Sequence, residues 1–153
     1  MVRELFQEYQ RSLGFDLCFQ DFERELATLP GAYAPPDGWL LLVRSGNGPV
    51  ACAGVRRIGD RVCELKRMYV RPDYRGRGLG RRLAGLLIAE ARRIGYATMR
   101  LDTIGTMVEA IALYRSLGFR EIEPYYSNPM SGALFMELDL LPPKPASLSR
   151  NGP

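Results

Sequence analysis

Arg75-Gly76-Arg77-Gly78-Leu79-Gly80 is the stretch whose residue types and spacing could hold a phosphate. Its glycines let the backbone come close to a ligand, consecutive amide N–H groups can point the same way, and a helix starting inside the loop adds positive potential. Arg75, Arg77, Arg81 and Arg82 bring full charges beside those amides. A pyrophosphate is the guest this chemistry suits. A bare glycine–arginine turn can also be a solvated connection or part of an RNA-binding tract. Two phosphate motifs are excluded by residue type. A Walker A loop requires Lys and then Ser or Thr after its last glycine, where Arg81-Arg82 follow here. A dinucleotide fingerprint requires Gly-x-Gly-x-x-Gly, and these glycines run Gly-x-Gly-x-Gly, with no acidic residue closing a second strand about 20 residues on.

The remaining chemistry is bounded by what the chain lacks. There is no histidine, so a general base must be a carboxylate, tyrosine, cysteine or a water held by one of these. Cys18, Cys52 and Cys63 show no metal-ligand spacing, and no metal is expected. An odd cysteine count without a pairing pattern suits a reducing cytoplasm. The net charge of +4 is almost all arginine, Lys66 and Lys144 being the only lysines. Away from residues 71–82 the arginines are scattered and not interleaved with exposed aromatics, so no nucleic-acid partner is expected. No apolar run approaches the roughly 20 residues that cross a bilayer, and no signal peptide opens the chain, so no membrane partner is expected either.

The elements that must position the loop follow from periodicity. Val2, Leu5, Phe6, Tyr9 and Leu13 form a helical stripe ended by Gly14, and Phe19, Phe22, Leu26 and Leu29 form a second one closed by Pro30-Gly31. Residues 32–38, with adjacent prolines, read as a loop. Segments 39–44, 49–57 and 61–70 are strands joined by tight turns, which makes an antiparallel meander. The glycine loop follows, then a helix carrying Leu79, Leu83, Leu86, Leu87, Ala91 and Ile94, stopped by Gly95. Segment 97–102 is reached through that helix, so it should lie parallel to the third strand. Ala110, Ile111, Leu113, Tyr114 and Leu117 mark another helix, stopped by Gly118, and strands are expected at 119–122 and 133–140. Cys52 and Cys63 fall in strands and read as buried thiols. The expectation is one α/β domain of the α+β type over residues 1–141, a mixed sheet with helices on both faces. Residues 142–153, rich in proline and serine, are predicted to be a disordered tail.

This order of elements and motifs resembles the GNAT superfamily of acyl-CoA-dependent N-acetyltransferases. Arg75-x-x-Gly78-x-Gly80 matches its pyrophosphate-loop pattern, and the segment from Ala110 through Tyr114 to Gly118-Phe119 is similar to its second signature. The resemblance covers roughly residues 39–140. Two departures stand out. Met107 occupies a position where the family often carries Asn. Family members usually begin with a strand, whereas this chain opens in helix-like sequence, so that first strand is expected to be absent and a sheet edge left open.

The resemblance implies acetyl transfer from acetyl-CoA, a cosubstrate, to a primary amine of a small molecule in the cytoplasm, by direct attack in a ternary complex. It implies cofactor contacts from Met68, Tyr69, Val70, Arg75, Gly76, Arg77, Gly78, Leu79, Gly80 and Arg81. The Met68 backbone N–H would polarise the thioester carbonyl, and Tyr114 would protonate the departing thiolate. Glu64 stands at the interval before Arg75 where histone-type members place their base. On a straight strand it shares a face with Lys66, Met68 and Val70, about 13 Å from Met68 by four rises of roughly 3.3 Å, so a water relay is expected. A surface ion pair is the other reading of Glu64, and core packing the other reading of Tyr114. Tyr125, Tyr126 and Asn128 lie where acceptor-site residues fall, or form a structural turn. The alternatives are a protein-lysine or N-terminal acetyltransferase and a non-catalytic acyl-CoA sensor. A homodimer is compatible with either.

Overall fold

The computed structural model describes residues 1–14 and 21–141. The expected tail, Cys18, and Phe19 of the second stripe lie outside the described residues. Two helices open the chain, α1 (Val2–Leu13) and α2 (Phe22–Ala27), followed by a short 3-10 turn at Gly31–Tyr33. Strands β1 (Trp39–Ser45), β2 (Gly48–Gly59) and β3 (Val62–Val70) form the meander. A 3-10 turn at Pro72–Tyr74 leads into the glycine loop and α3 (Leu79–Ile94). Then come β4 (Thr98–Ile104), α4 (Val108–Ser116), β5 (Arg120–Ile122) and β6 (Ala133–Asp139). The strands make one six-stranded sheet in the order β1-β2-β3-β4-β6-β5. Among the described residues no strand precedes β1, which forms one edge of the sheet.

The two faces are covered by different helices. On one side Leu83, Ala84, Leu87, Ile88 and Ala91 of α3 bury against Ala51, Ala53, Val55, Cys63 and Leu65, with Tyr114 of α4 joining them. Leu86, expected on that stripe, is instead about half exposed, and Ile88 takes the inward place. On the other side Leu5 and Phe6 of α1, Phe22 of α2 and Tyr33 pack on Cys52 and Tyr69. Tyr33 can approach because residue 54 is glycine, whose absent Cβ would meet the tyrosine ring at 2.7 Å.

Two irregularities in the sheet shape everything functional. β3 and β4, the parallel pair, are in register only from Val62↔Thr98 to Glu64↔Arg100; beyond that the strands part. Within β3, the register with β2 jumps from Cys52↔Tyr69 to Gly54↔Lys66, and Arg67 takes a left-handed conformation with φ 56°. This is a β-bulge, two residues facing one, and it inverts the alternation of everything after it. The straight-strand expectation for β3 is therefore corrected. Met68 and Val70 pack on the α3 side with Cys63 and Leu65, while Tyr69 packs on the opposite side with Cys52. Glu64 does not share a face with Met68.

Candidate active site

Where β3 and β4 part, a cleft of about 850 Å³ opens. One end is the phosphate-type loop. Gly76 and Gly78 both have φ 76°, a conformation glycine reaches without the steric cost other residues meet, and Gly78 is the residue from which α3 starts. No side chain caps that helix N-terminus, and its first turn holds no acidic residue. The orphan amides of the first turn are thus left for an anion. The arginines are arranged around them. Arg75 donates from Nε to the Val70 carbonyl at 2.9 Å and lies over the Tyr69 ring, and Arg81 donates to Ser116 Oγ at 2.8 Å. A backbone cradle with cations at its rim fits a pyrophosphate by its donor set.

The walls continue from Met68, Tyr69 and Val70 on β3 to Thr103 and Ile104 on β4, with Tyr114 of α4 facing in. Of the residues expected to hold a cofactor, Arg75, Gly76, Gly78, Leu79, Gly80 and Arg81 join them on the wall. Arg77 does not, its guanidinium lying over the Tyr74 ring instead. Tyr114 is nearly buried and packs edge-on to Phe119. Burial, helped by Tyr9 and Asp102, pushes its hydroxyl above the ordinary tyrosine value, so it stays protonated. The same desolvation acts on any thiolate beside it, so the gap between the two acids matters more than either value.

Glu64 is absent from the cleft wall. It is 1% exposed, and its Oε1 accepts from Arg56 Nε at 3.0 Å and pairs with Lys66 Nζ at 3.6 Å, while Tyr125 donates to Oε2 at 2.5 Å. Burial would raise this carboxyl, but the charges of Lys66 and Arg56 outweigh it and hold the group below its usual range. Tyr126 and Asn128 are also off the wall. Both donate to Asp102 Oδ2, Asn128 from Nδ2 at 3.1 Å. Met107, in the position where family members often carry Asn, starts α4 without a side-chain cap.

Sequence reasoning missed several of the residues assembled here. Asp102 lines the cleft, yet in the sequence it is only the end of a strand. Tyr9 lines it from α1, though it belongs to an amphipathic stripe that reads as core. Arg67 is buried and donates to Glu25 of α2 from Nε at 2.8 Å and from a terminal nitrogen at 3.3 Å, an ion pair spanning 42 residues. Only the period-two placement of Asp102 with Arg100, on the face opposite Met99 and Leu101, offered a signal.

The Acetyltransferase (GNAT) family model matches residues 1–119. The chain belongs to the GNAT acetyltransferase family. An uncharacterised N-acetyltransferase of Schizosaccharomyces pombe is 41% identical over 138 residues, covering 89% of this chain and 85% of its own. The IAA acetyltransferase of Azospirillum brasilense is 36% identical, covering 91% and 90%. Among solved structures, a GNAT acetyltransferase of Staphylococcus aureus Mu50 superposes with a TM-score of 0.76 over 91% of this chain and 93% of its own, at 22% identity. The ribosomal-protein-S18-alanine N-acetyltransferase of Escherichia coli gives 0.59 at 30% identity, over 72% and 74%. The yncA structure of Salmonella typhimurium, which holds its cofactor acetyl-CoA, gives 0.55 at 29% identity, over 66% and 64%. This GNAT chain is an acetyltransferase with the mixed α+β fold its sequence pointed to.

Proposed function

We propose that this GNAT enzyme transfers the acetyl group of acetyl-CoA to a primary amine of a small molecule by direct attack in a ternary complex. One observation carries the reading: a single cleft joins the uncapped N-terminus of α3, the bulge at Arg67-Met68 and the Tyr114 side chain. The loop amides from Gly76 to Arg81 would hold the pyrophosphate, and β3 from Met68 to Val70 would run beside the pantetheine arm. Met68 lies in the break of the β2–β3 register and beyond the last β3–β4 pair, which suits its N–H for donation to the thioester carbonyl. Tyr114, which keeps its proton, would give it to the thiolate.

A small acceptor is favoured because α1 covers part of the cleft. Tyr9, Ser12 and Leu13 line the cleft there, and Arg71, at the end of β3, binds Glu8 and Glu4 of α1 and holds the helix down. Glu64, expected as the base, is buried and is not on the cleft wall. Its two oxygens already serve Arg56, Lys66 and Tyr125. A second reading, acetylation of a protein N-terminus, is favoured by the likeness to the ribosomal-protein-S18-alanine enzyme.

Calorimetry with coenzyme A, followed by a thiol-release screen with acetyl-CoA, tests both. The panel holds n-butylamine, spermidine, free amino acids and peptides with free N-termini. Binding of coenzyme A with release driven by small amines is expected. No heat with coenzyme A overturns the cleft assignment, and release with peptides alone establishes the second reading.

A further inference from the structure

We infer that Asp102 is the catalytic carboxylate that receives the acceptor's amine and takes its proton, with Tyr126 and Asn128 as its positioning residues. This rests on the acetyl-transfer reading above. Asp102 stands on the cleft wall where β3 and β4 separate, in the same cavity as Met68 and Tyr114. Its setting is built rather than incidental. Tyr126 and Asn128 donate to the same oxygen, Oδ2. Asn128 is itself oriented, its Oδ1 accepting the Met130 N–H at 2.9 Å. The Tyr126 ring is held edge-on by Tyr125 and Phe135, with centroids 5.5 and 5.2 Å away. Two side chains of this loop thus fix the carboxylate that faces the reaction cavity.

Comparison with Glu64 shows why Asp102 is the better placed of the two. Glu64 neutralises two cations behind the wall, whereas Asp102 meets the cavity directly. In water an aspartate and an alkylamine, near 4 and 10, leave the proton on nitrogen. The groups around Asp102, and so around an amine beside it, are Lys66 and Arg67 from β3, Tyr9 from α1, Tyr114 from α4, and Tyr125, Tyr126 and Asn128 from the loop. Lys66 and Arg67 are buried cations and disfavour a third beside them, so an ammonium bound there gives up its proton more readily than in water.

The step balances as follows. The acceptor's ammonium gives one proton to Asp102, which passes it to solvent. The freed nitrogen attacks the thioester carbonyl and a C–N bond forms. As the C–S bond breaks, the thiolate takes the Tyr114 proton, and the second nitrogen proton restores Tyr114. Ammonium and thioester become amide, thiol and one solvent proton.

The test uses the full chain with Asp102→Asn, a near-isosteric change, and the fastest amine of the panel above. The amine kcat/KM should fall by at least about 100-fold at pH 7, the scale of general base catalysis. The KM for acetyl-CoA should stay within twofold. The deficit should shrink as pH rises toward 10, where the amine arrives already neutral. Amine kinetics within twofold of wild type, or a loss equally large at every pH, overturns the inference. If Asp102→Asn does not fold, Tyr126→Phe decides: a loss of about tenfold, the scale of one hydrogen bond, with the same alkaline recovery supports it, and an unchanged profile overturns it. Failure of wild type to acetylate any member of the panel overturns the acetyl-transfer reading itself, and the inference with it. Wild-type transfer that Asp102→Asn retains overturns the inference alone.

Discussion

At the scale of single residues, the two groups the sequence singled out for chemistry have different surroundings. Tyr114 is at once a core residue and a cleft residue, so its packing and its proposed chemistry must be separated by experiment. Tyr114→Phe keeps the ring against Phe119 and removes only the hydroxyl. Turnover should fall by about 100-fold or more, the usual range for a lost general acid, while coenzyme A binds as before. A variant that turns over normally would reduce the residue to packing. Glu64→Gln asks a different question. The carboxylate neutralises Arg56 and Lys66 at a site nearly closed to water, and Lys66 is itself buried. Removing one member of a buried ionic group leaves charge uncompensated, which costs about 3–5 kcal/mol. Urea unfolding of Glu64→Gln should show that loss; turnover lost with stability intact would instead return Glu64 to the role of base.

At the scale of elements, two backbone features carry the site. Gly78 opens α3 with φ 76°, and a Cβ there would meet nothing within 4 Å. Gly78→Ala therefore tests conformation alone: roughly 1–2 kcal/mol of left-handed strain should appear as a 5–30-fold weaker coenzyme A Kd or an equal loss of stability. The bulge is held by Arg67, which lies 5.0 Å over the Phe22 ring and binds Glu25, to which Tyr33 also donates at 3.1 Å. Glu25→Ala should cost about 3–5 kcal/mol in a thermal or urea melt by stranding the buried guanidinium, although Glu25 lies on a six-residue helix far from the loop in sequence. A change below 1 kcal/mol would show that the bulge holds without it. The contrast explains what was legible beforehand. The glycine loop, α3, α4 and the meander are local patterns of glycine spacing and apolar period, and they could be read directly. The bulge is accompanied by a contact between residues 25 and 67, and a left-handed arginine leaves no mark in composition. Missing it reversed the faces of β3 beyond Arg67, which is why Glu64 was expected on the same face as Met68. Asp102 escaped notice for the same reason, since its neighbours Tyr126 and Asn128 arrive from a loop 24 and 26 residues on.

At the scale of the whole molecule, carboxylates tie α1 and α2 to the sheet, and the sheet to the loop before β6, and this sets how the fold responds to acid. Glu8 of α1 is held below the usual carboxylate range chiefly by its hydrogen bonds from Arg71, against the opposing effect of burial. Glu64 is held below it too, where burial pushes upward but Lys66 and Arg56 prevail. A carboxyl whose value is lower in the folded chain than in the unfolded one, near 4.3, stabilises fully above that value. The contribution is lost as pH falls through the folded value, because the unfolded chain then binds more protons. Stability should thus be flat from neutrality to about pH 5 and decline below about pH 4, with the rising positive charge, already +4 at neutrality, adding repulsion. The two carboxylates can be told apart by salt. Glu8 and Arg71 are each about a quarter exposed, so screening weakens their pair, whereas the Glu64 side chain is 2% exposed and is screened much less. Thermal melts from pH 7 to 3 at low and high salt should show a salt-sensitive part, removed by Glu8→Gln, on top of a salt-resistant part, removed by Glu64→Gln. The second variant should begin lower at pH 7 and fall less steeply. A melting temperature that holds constant to pH 3, or an acid slope the same in Glu64→Gln as in wild type, would mean that the buried carboxylate is not what couples this fold to protons.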